Sequence, residues 1–403
     1  MKILHTSDWH LGHAIYNDSQ EEAQRDMLQQ MATIVSEHKP DVFIISGDVY
    51  DTTQPSASVQ QMFADAIVKL HDSHPEMVVV CIAGNHDSGS RHTIFHTPWR
   101  SLNVFMIGSI IKESDLEDYI IEVPGKGFVV AVPFAADRYM PEDVFIKLSE
   151  KVKERNTAHH PVMLTAHIAA SKADWRGHDS SSDTNIGGLN CQEISIFGED
   201  YDYIALGHIH KQQSLDKDKR IWYSGTPIAV SFDEVYSGNE HGVLLVDCPA
   251  HKAPATVKPV AIHNIHPLVN LPYEGFAEWE EVKEFFARYD SDIPSFIRLN
   301  VEVDGYLPIG ANDEAKNIAE SKACKLCYIN SRRKEQVTDS ARTRTLTTTE
   351  LKQIDFMEVA QMFVESQGEV FDDDMKSICF SSVVVKVLVL ALSVTCSLRL
   401  ELM

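Results

Sequence analysis

The chain has 403 residues, 44% of them hydrophobic, and 36 Lys and Arg against 59 Asp and Glu, for a formal net charge of -23. That length and apolar content suit two or three globular domains with a sizeable core. The acidity excludes broad wrapping of nucleic acid by a basic surface, because phosphate affinity comes from Lys and Arg. Met1 leads straight into an apolar strand pattern, so a secretory leader is not expected. Seven scattered cysteines, an odd number, point to a reducing cytoplasm and not to a disulfide framework.

In chain order, residues 2–6 read as a strand that runs into Ser7, Asp8, Trp9 and His10. Residues 20–37 carry Met27, Met31, Ile34 and Val35 at helical spacing. After Pro40 a second strand, 42–46, ends in Gly47 and Asp48. Pro55 opens a second helix over 56–72, with Met62, Phe63, Ala66, Ile67 and Leu70 on its apolar face. The apolar run that starts at Val78 breaks at Gly84 into Asn85, His86 and Asp87. Alternation of strand and helix implies right-handed crossovers and a largely parallel sheet.

Shorter strands at 104–107 and 128–132 and a helix over 141–155 come next. A strand at 162–165 delivers His167, and after a loop rich in Ser, Asp and Gly, a strand at 203–206 delivers Gly207, His208, Ile209 and His210. From Ile221 the pattern turns to antiparallel type, with a turn at Ser237, Gly238 and Asn239. Pro249, Pro254 and Pro259 mark a boundary. Strands at 267–271, 296–303 and 325–330, with helices at 276–288 and 312–322, then suggest a small α/β module. The division expected is 1–262, 263–340 and a tail, 341–403. In the tail, 349–365 looks helical, and 381–394 is an apolar stretch with Lys386, short for a membrane span of about 20 residues. It reads as a buried or aggregation-prone segment.

Buried parallel strands read as uninterrupted apolar runs, and chemistry gathers at their carboxyl ends. Five such runs end in metal-type ligands: Asp8, His10, Asp48, Asn85, His167, His208 and His210. Seven ligands with one shared carboxylate give two ions four protein ligands each. Asp48 is the natural bridge, since a carboxylate has two oxygens and Gly47 lets the backbone come close. Imidazole, carboxylate and amide ligation suits Mn, Fe or Zn without choosing among them. Two divalent ions outweigh two carboxylates, so the site attracts an anionic oxygen, and hydrolysis of a phosphoester is the expected reaction.

His86 is not needed to complete either set of ligands. It is a candidate to stabilise the transition state or protonate the leaving oxygen, with Asp87 fixing its ring, although ligation by His86 itself stays open. His5, His13, His71, His92, His96 and His178 lack strand-end placement and read as ordinary imidazoles. Cys324 and Cys327 form the only CxxC, but a strand puts residues three apart on opposite faces, which argues against a zinc or redox site. Trp175 and Arg176 offer a stacking and pairing surface for nucleic acid, against the plainer reading of an exposed loop. Arg332, Arg333 and Lys334 read as a solvated basic turn.

The order DxH, GD, GNHD, H, GHxH resembles the calcineurin-like metallophosphoesterase superfamily. The strings HTSDWHLG at 5–12, SGDVYDT at 46–52, AGNHDS at 83–88, DYIALGHIHK at 202–211 and YSGTPIAVSFDE at 223–234 are similar to its DNA-repair nuclease branch. The likeness runs to about residue 336. It implies an α/β fold, a metallophosphoesterase β-sandwich with flanking helices and a small α/β capping domain. It also implies Mn-dependent exonuclease action on DNA ends and endonuclease action on hairpins, in partnership with a coiled-coil ATPase. On matching positions one ion is held by Asp8, His10, Asp48 and His210, the other by Asp48, Asn85, His167 and His208, with His86 the catalytic histidine. The tail departs from the polar helical finish of that family. A small-molecule phosphodiesterase with the same metal site and a non-enzymatic DNA-end scaffold are the competing expectations.

Overall fold

Short apolar runs between turn residues can be hidden on both faces only inside a layered structure. The computed structural model describes residues 1–94, 96–109, 116–136, 139–178 and 191–334. The expectations for 349–365 and 381–394 lie outside the described residues.

The first half of the chain builds β1 (Lys2–Thr6), a two-strand hairpin β2 (Ala14–Ile15) and β3 (Asp18–Ser19), and α1 (Glu21–His38). Then come β4 (Val42–Ile45), α2 (Ala57–Ser73), β5 (Val78–Ile82), two short helices α3 (Gly89–Ile94) and α4 (His96–Arg100), and β6 (Val104–Ile107). Next are β7 (Ile120–Val123), β8 (Gly127–Val132), α5 (Val144–Arg155), β9 (Val162–His167), β10 (Tyr203–Gly207), β11 (Gln213–Ser214), β12 (Ile221–Tyr223), β13 (Gly242–Asp247) and β14 (Thr256–Ala261). The order ends with β15 (Leu268–Leu271), α6 (Trp279–Arg288), β16 (Ser295–Val303), α7 (Ala311–Ala319) and β17 (Cys324–Arg333).

Two six-stranded sheets result, ordered β14-β13-β1-β4-β5-β6 and β11-β12-β10-β9-β8-β7. Strands β1, β4, β5 and β6 are parallel, as the alternation of strand and helix requires. Period-two alternation sends Ile3, Val42, Ile44, Val80 and Ile82 into a core shared with the second sheet. Leu4, Phe43, Ile45, Val79 and Cys81 face the other way, onto Met27, Met31, Phe63 and Ile67 of α1 and α2. Ser56 caps α2, its Oγ accepting from the Val59 N–H at 3.3 Å, and replacing it with Ala would cost about 1 kcal/mol. Truncating fully buried Ile44 to Ala would cost about 2–5 kcal/mol.

Strand β12 corrects one expectation. Ile221–Tyr223 pairs parallel to β10 and antiparallel only to the two-residue β11. In the first sheet antiparallel pairing begins at β13, between β1 and β14. Its apolar residues read alike in either direction, so periodicity carries no directional signal.

The three parallel strands β15-β16-β17 form a separate sheet. Ile297, Leu299 and Val301 pack there against Trp279, Val282 and Phe286 of α6 and Ala311 and Ala315 of α7. Its opposite face meets the body. Arg298 Nη1 donates to Asp233 at 2.6 Å, and Asn270 Nδ2 donates to the Phe232 carbonyl at 3.0 Å. Cys324 packs with the module's own core and Cys327 with the Ile15, Phe232 and Leu268 group, so the CxxC pair is split between two faces. Among the described residues, no helix is long and apolar enough to cross a membrane.

Candidate metal centre

Each candidate ligand sits at or just past the carboxyl end of a strand. Asp8 and His10 follow β1, Asp48 follows β4, Asn85 follows β5, His167 closes β9, and His208 and His210 follow β10. The first three strands lie in one sheet and the last two in the other, so the seven side chains meet where the two sheet ends converge.

Glycines make this approach possible. A Cβ on Gly47 would stand 2.3 Å from His167 Nδ1, one on Gly84 2.1 Å from Asp48 Oδ1, and one on Gly207 2.0 Å from the Ser46 carbonyl oxygen. Hydroxyls stitch the same seam, with Ser46 Oγ 2.9 Å from Thr165 Oγ1 and Ser7 Oγ 2.7 Å from Ser224 Oγ.

Four of the seven residues have left-handed backbones: Asp8 (φ 53°), His10 (φ 44°), Asp48 (φ 50°) and His208 (φ 104°). Such conformations cost about 1–3 kcal/mol each and persist only where the surroundings impose them. The imposing bonds are visible. The Asp8 N–H donates to the Gly47 carbonyl at 3.0 Å, the His10 N–H to the Asp48 carbonyl at 3.1 Å, and the His208 N–H to Asp8 Oδ1 at 3.0 Å.

The hydrogen bonds also fix where lone pairs point. His210 donates Nδ1–H to buried Glu234 at 3.0 Å, and His10 Nδ1 stands 3.4 Å from the Asp51 carboxylate. The Nε2 atoms of these two rings then face each other at 3.3 Å. His167 donates Nδ1–H to the Ser46 carbonyl at 2.8 Å, so its Nε2 meets two acceptors, Asn85 Oδ1 at 2.8 Å and Asp48 Oδ2 at 3.3 Å. Asn85 Oδ1 is also 3.0 Å from His208 Nδ1, and His208 Nε2 is buried without a hydrogen-bond partner. Acceptors aimed at acceptors require positive charge between them, from a proton or a cation.

The titration of these groups carries the same message. Burial pulls the His10 imidazolium down, but Asp51, Asp48 and Asp8 more than offset it and hold His10 at about 9. Burial opposes the charge on His167 as well, and Asp48 and Asp8 raise it to about 9. Burial alone would raise the Asp48 carboxyl, yet His167, His10 and His86 keep it far below the usual carboxylate range. Burial, then the nearby His167 and His178, push His208 well below its ordinary value.

Among the described residues, two sets of side chains offer donor atoms within 4.8 Å of one another: Asp8, His10 and His210, and Asp8, Asp48 and His167. Asp8 is common to both, where the sequence points to Asp48 as the shared ligand. Imidazole and carboxylate donors with committed second nitrogens fit a pair of first-row divalent cations.

Asp87 does not pair with His86. Its carboxylate accepts from the N–H groups of Gly84 at 2.9 Å, Val49 at 3.1 Å and Tyr50 at 3.0 Å, and lies 3.7 Å from His92 Nε2. Asp87 thus ties the Asp48 loop to the Asn85 loop. His86 is oriented instead by Asp51, whose carbonyl accepts its Nδ1–H at 2.9 Å, and the His86 N–H donates to Asp48 Oδ1 at 2.8 Å.

Four residues that lack strand-end placement join the centre. His13 Nδ1 lies 2.9 Å from the Asp51 carboxylate, and the His178 ring lies 5.3 Å from that of His208 and 4.8 Å from that of His210. Asp51 and Glu234 support the rings of the candidate ligands His10 and His210. Their only signal was membership of SGDVYDT and YSGTPIAVSFDE, since a supporting carboxylate has no spacing rule of its own. The other histidines set aside as ordinary stay away from the cleft: His5 is core, with Nδ1 2.9 Å from the Tyr203 hydroxyl, and His92 is buried beside Asp87.

The cleft over the cluster, about 100 Å³, is lined by His10, Asp48, Asn85, His86, His208 and His210 together with His13, Asp51, His178, Val230 and Ser231. Among the described residues, that lining holds no Lys or Arg. An anion entering it would meet imidazoles and carboxylates, so attraction depends on what the ligands hold. Trp175 lies nearby, its ring 5.9 Å from that of His208, whereas Arg176 is engaged by Asp174 at 2.6 Å.

The chain is 31% identical over 287 residues to the SbcD component of the SbcCD nuclease of Bacillus subtilis, covering 67% of this chain and 71% of that protein. The protein of the same name from Rhodobacter capsulatus is 28% identical over 310 residues, covering 70% of this chain and 74% of the relative. That of Escherichia coli K12 is 29% identical over 261 residues, covering 58% and 62%. Residues 1–212, which include all seven candidate ligands, match the model of the calcineurin-like phosphoesterases, and the chain belongs to that family.

Proposed function

We propose that the chain is a two-metal DNA nuclease subunit that cuts DNA ends as an exonuclease and hairpins as an endonuclease. The observation that carries this reading is the convergence of seven candidate ligands from the strand ends of both sheets, with His10 and His210 facing each other through Nε2 at 3.3 Å. The similarity to the SbcD component of SbcCD nucleases supports DNA as the substrate and a coiled-coil ATPase of SbcC type as the partner. One ion would be held by Asp8, His10, Asp48 and His210 and the other by Asp48, Asn85, His167 and His208, with Mn the preferred metal. A homodimer within a heterotetramer and a cytoplasmic location complete the proposal, with 263–340 as a cap and 341–403 as the partner-binding tail.

When bound, two divalent cations activate water and neutralise the non-bridging oxygens of a phosphodiester. The chain's own groups do the rest. Glu234 and the Ser46 carbonyl hold the His210 and His167 rings in the tautomers that leave Nε2 free to ligate. The Asp51 carbonyl holds His86 by Nδ1–H, which leaves Nε2 to steady the reacting phosphate or to give a proton to the leaving oxygen.

The deciding experiment compares Mn-dependent release of nucleotides from linear duplex DNA with turnover of a nitrophenyl phosphate ester. Cleavage of the duplex, lost in His86→Ala, is expected. Activity confined to the small ester would replace the nuclease reading with a small-molecule phosphodiesterase. Cleavage that His86→Ala leaves unchanged would remove His86 from the mechanism.

A further inference from the structure

A second cavity borders two imidazoles of the metal centre. It has a volume of about 270 Å³ and shares His167 and His208 with the metal centre. The rest of its wall is mostly apolar, with Phe134, Met140, Val144, Phe145, Ile168 and Ile196 among the lining side chains and Glu142, Asp143 and Gln192 as its polar members. Val144 and Phe145 are buried, whereas Phe134 is 36% exposed and belongs to the wall. Phe134 is also fixed in place. Its backbone N–H donates to the Ala83 carbonyl at 2.8 Å, two residues before Asn85, and its ring stands 6.2 Å from the His167 ring in an edge-on arrangement.

We infer that this cavity is a nucleobase subsite, in which the base of the nucleotide held at the metal centre packs against Phe134. The inference rests on the nuclease reading and adds what part of the substrate the chain grips. Charge decides the occupant. Glu142 and Asp143 line the cavity and are exposed at its rim, so a second phosphate would be repelled. A flat heteroaromatic ring is not. The volume lies just below the roughly 300 Å³ at which pockets for whole small molecules begin, which leaves room for a base. Stacking on an aromatic side chain is tolerant of sequence, because every base has a π-face. The subsite therefore positions the scissile phosphate without demanding a particular base.

The test is binding of 2-aminopurine deoxynucleoside 5′-monophosphate to the full chain in Mn²⁺ buffer, read by quenching of the base. Wild type should quench, and deoxyribose 5-phosphate, the same phosphate without a base, should displace the probe on the order of tenfold less well than deoxyadenosine 5′-monophosphate does. Phe134→Ala should weaken probe binding by a similar factor, and Phe134→Trp should restore it. Equal displacement by the baseless phosphate, a comparison that needs no variant, would overturn the inference. So would unaltered quenching in a folded Phe134→Ala chain. Oligonucleotide cleavage is scored separately: base-dependent binding without cleavage would sink the nuclease reading and leave the subsite standing, and cleavage without base dependence would do the reverse.

Discussion

The metal-centre end and the basic end of strand β17 place charge on this protein in opposite ways. At the strand ends, Asp8, Asp48, His10 and His167 are 0 to 3% exposed, and four candidate ligands sit on left-handed backbone. On β17, the basic run faces solvent and is answered locally. Arg332 pairs with Glu302 at 2.9 Å, Lys334 with Glu278 at 2.6 Å, and Arg333 lies over the Tyr306 ring. Burying charge costs free energy unless partners or ions compensate it, whereas an exposed pair contributes little. The contrast teaches that abundance of charge says little about function in so acidic a chain. Charge kept where it is expensive says much more.

The largest test of that contrast is Asp48→Asn. It removes a buried carboxylate that faces His167, His10 and His86. Mn-dependent cleavage should fall by well over the roughly 100-fold that loss of a supporting partner costs, with calorimetric titration reporting fewer bound ions. His86→Ala should follow, lowering kcat by about 10²- to 10⁴-fold while both ions still bind. Retained ion binding separates a proton-handling group from a ligand. Glu234→Gln comes next. It keeps shape but weakens the acceptor that holds His210, so metal affinity should drop about 10- to 100-fold, measured by competition with a chelating dye.

Much of this was legible in the sequence. The parallel strands β1, β4 and β5 announce themselves because strands covered on both faces carry no polar alternation, and each ends in a residue that no core would choose. The strands and helices from β15 to β17 were legible for the same reason, since they keep their own periods to within a few residues. What stayed hidden depends on contacts across the seam. Asp51 and Glu234 reach ligand rings from outside the strands, His178 closes on His208 and His210 from a loop after β9, and Asp87 turns away from His86 toward three backbone amides. A local reading pairs neighbours in sequence. The fold pairs neighbours in space, and in the turn after Gly84 adjacent side chains point apart.

Two smaller effects sharpen the comparison away from the cleft. His5 sits between the sheets, and burial lowers it from 6.5 to about 3. The unfolded chain therefore binds a proton that the folded chain refuses between those values, so stability is retained above about pH 6.5 and declines as pH falls toward 3. That contribution has a slope of up to about 1.4 kcal/mol per pH unit. His5→Asn should flatten it in denaturant titrations taken across that range. Lys334→Ala, by contrast, should leave the denaturation midpoint where it is in wild type, because its partners Glu278 and Asp304 are exposed.

Two cations held between the sheet ends are the central requirement. Anomalous diffraction from a crystal soaked in Mn²⁺ should give two peaks roughly 3.5–4 Å apart, ringed by Asp8, His10, Asp48, Asn85, His167, His208 and His210. A map with no peak there, a single peak, or ions bound only elsewhere on the surface would contradict it.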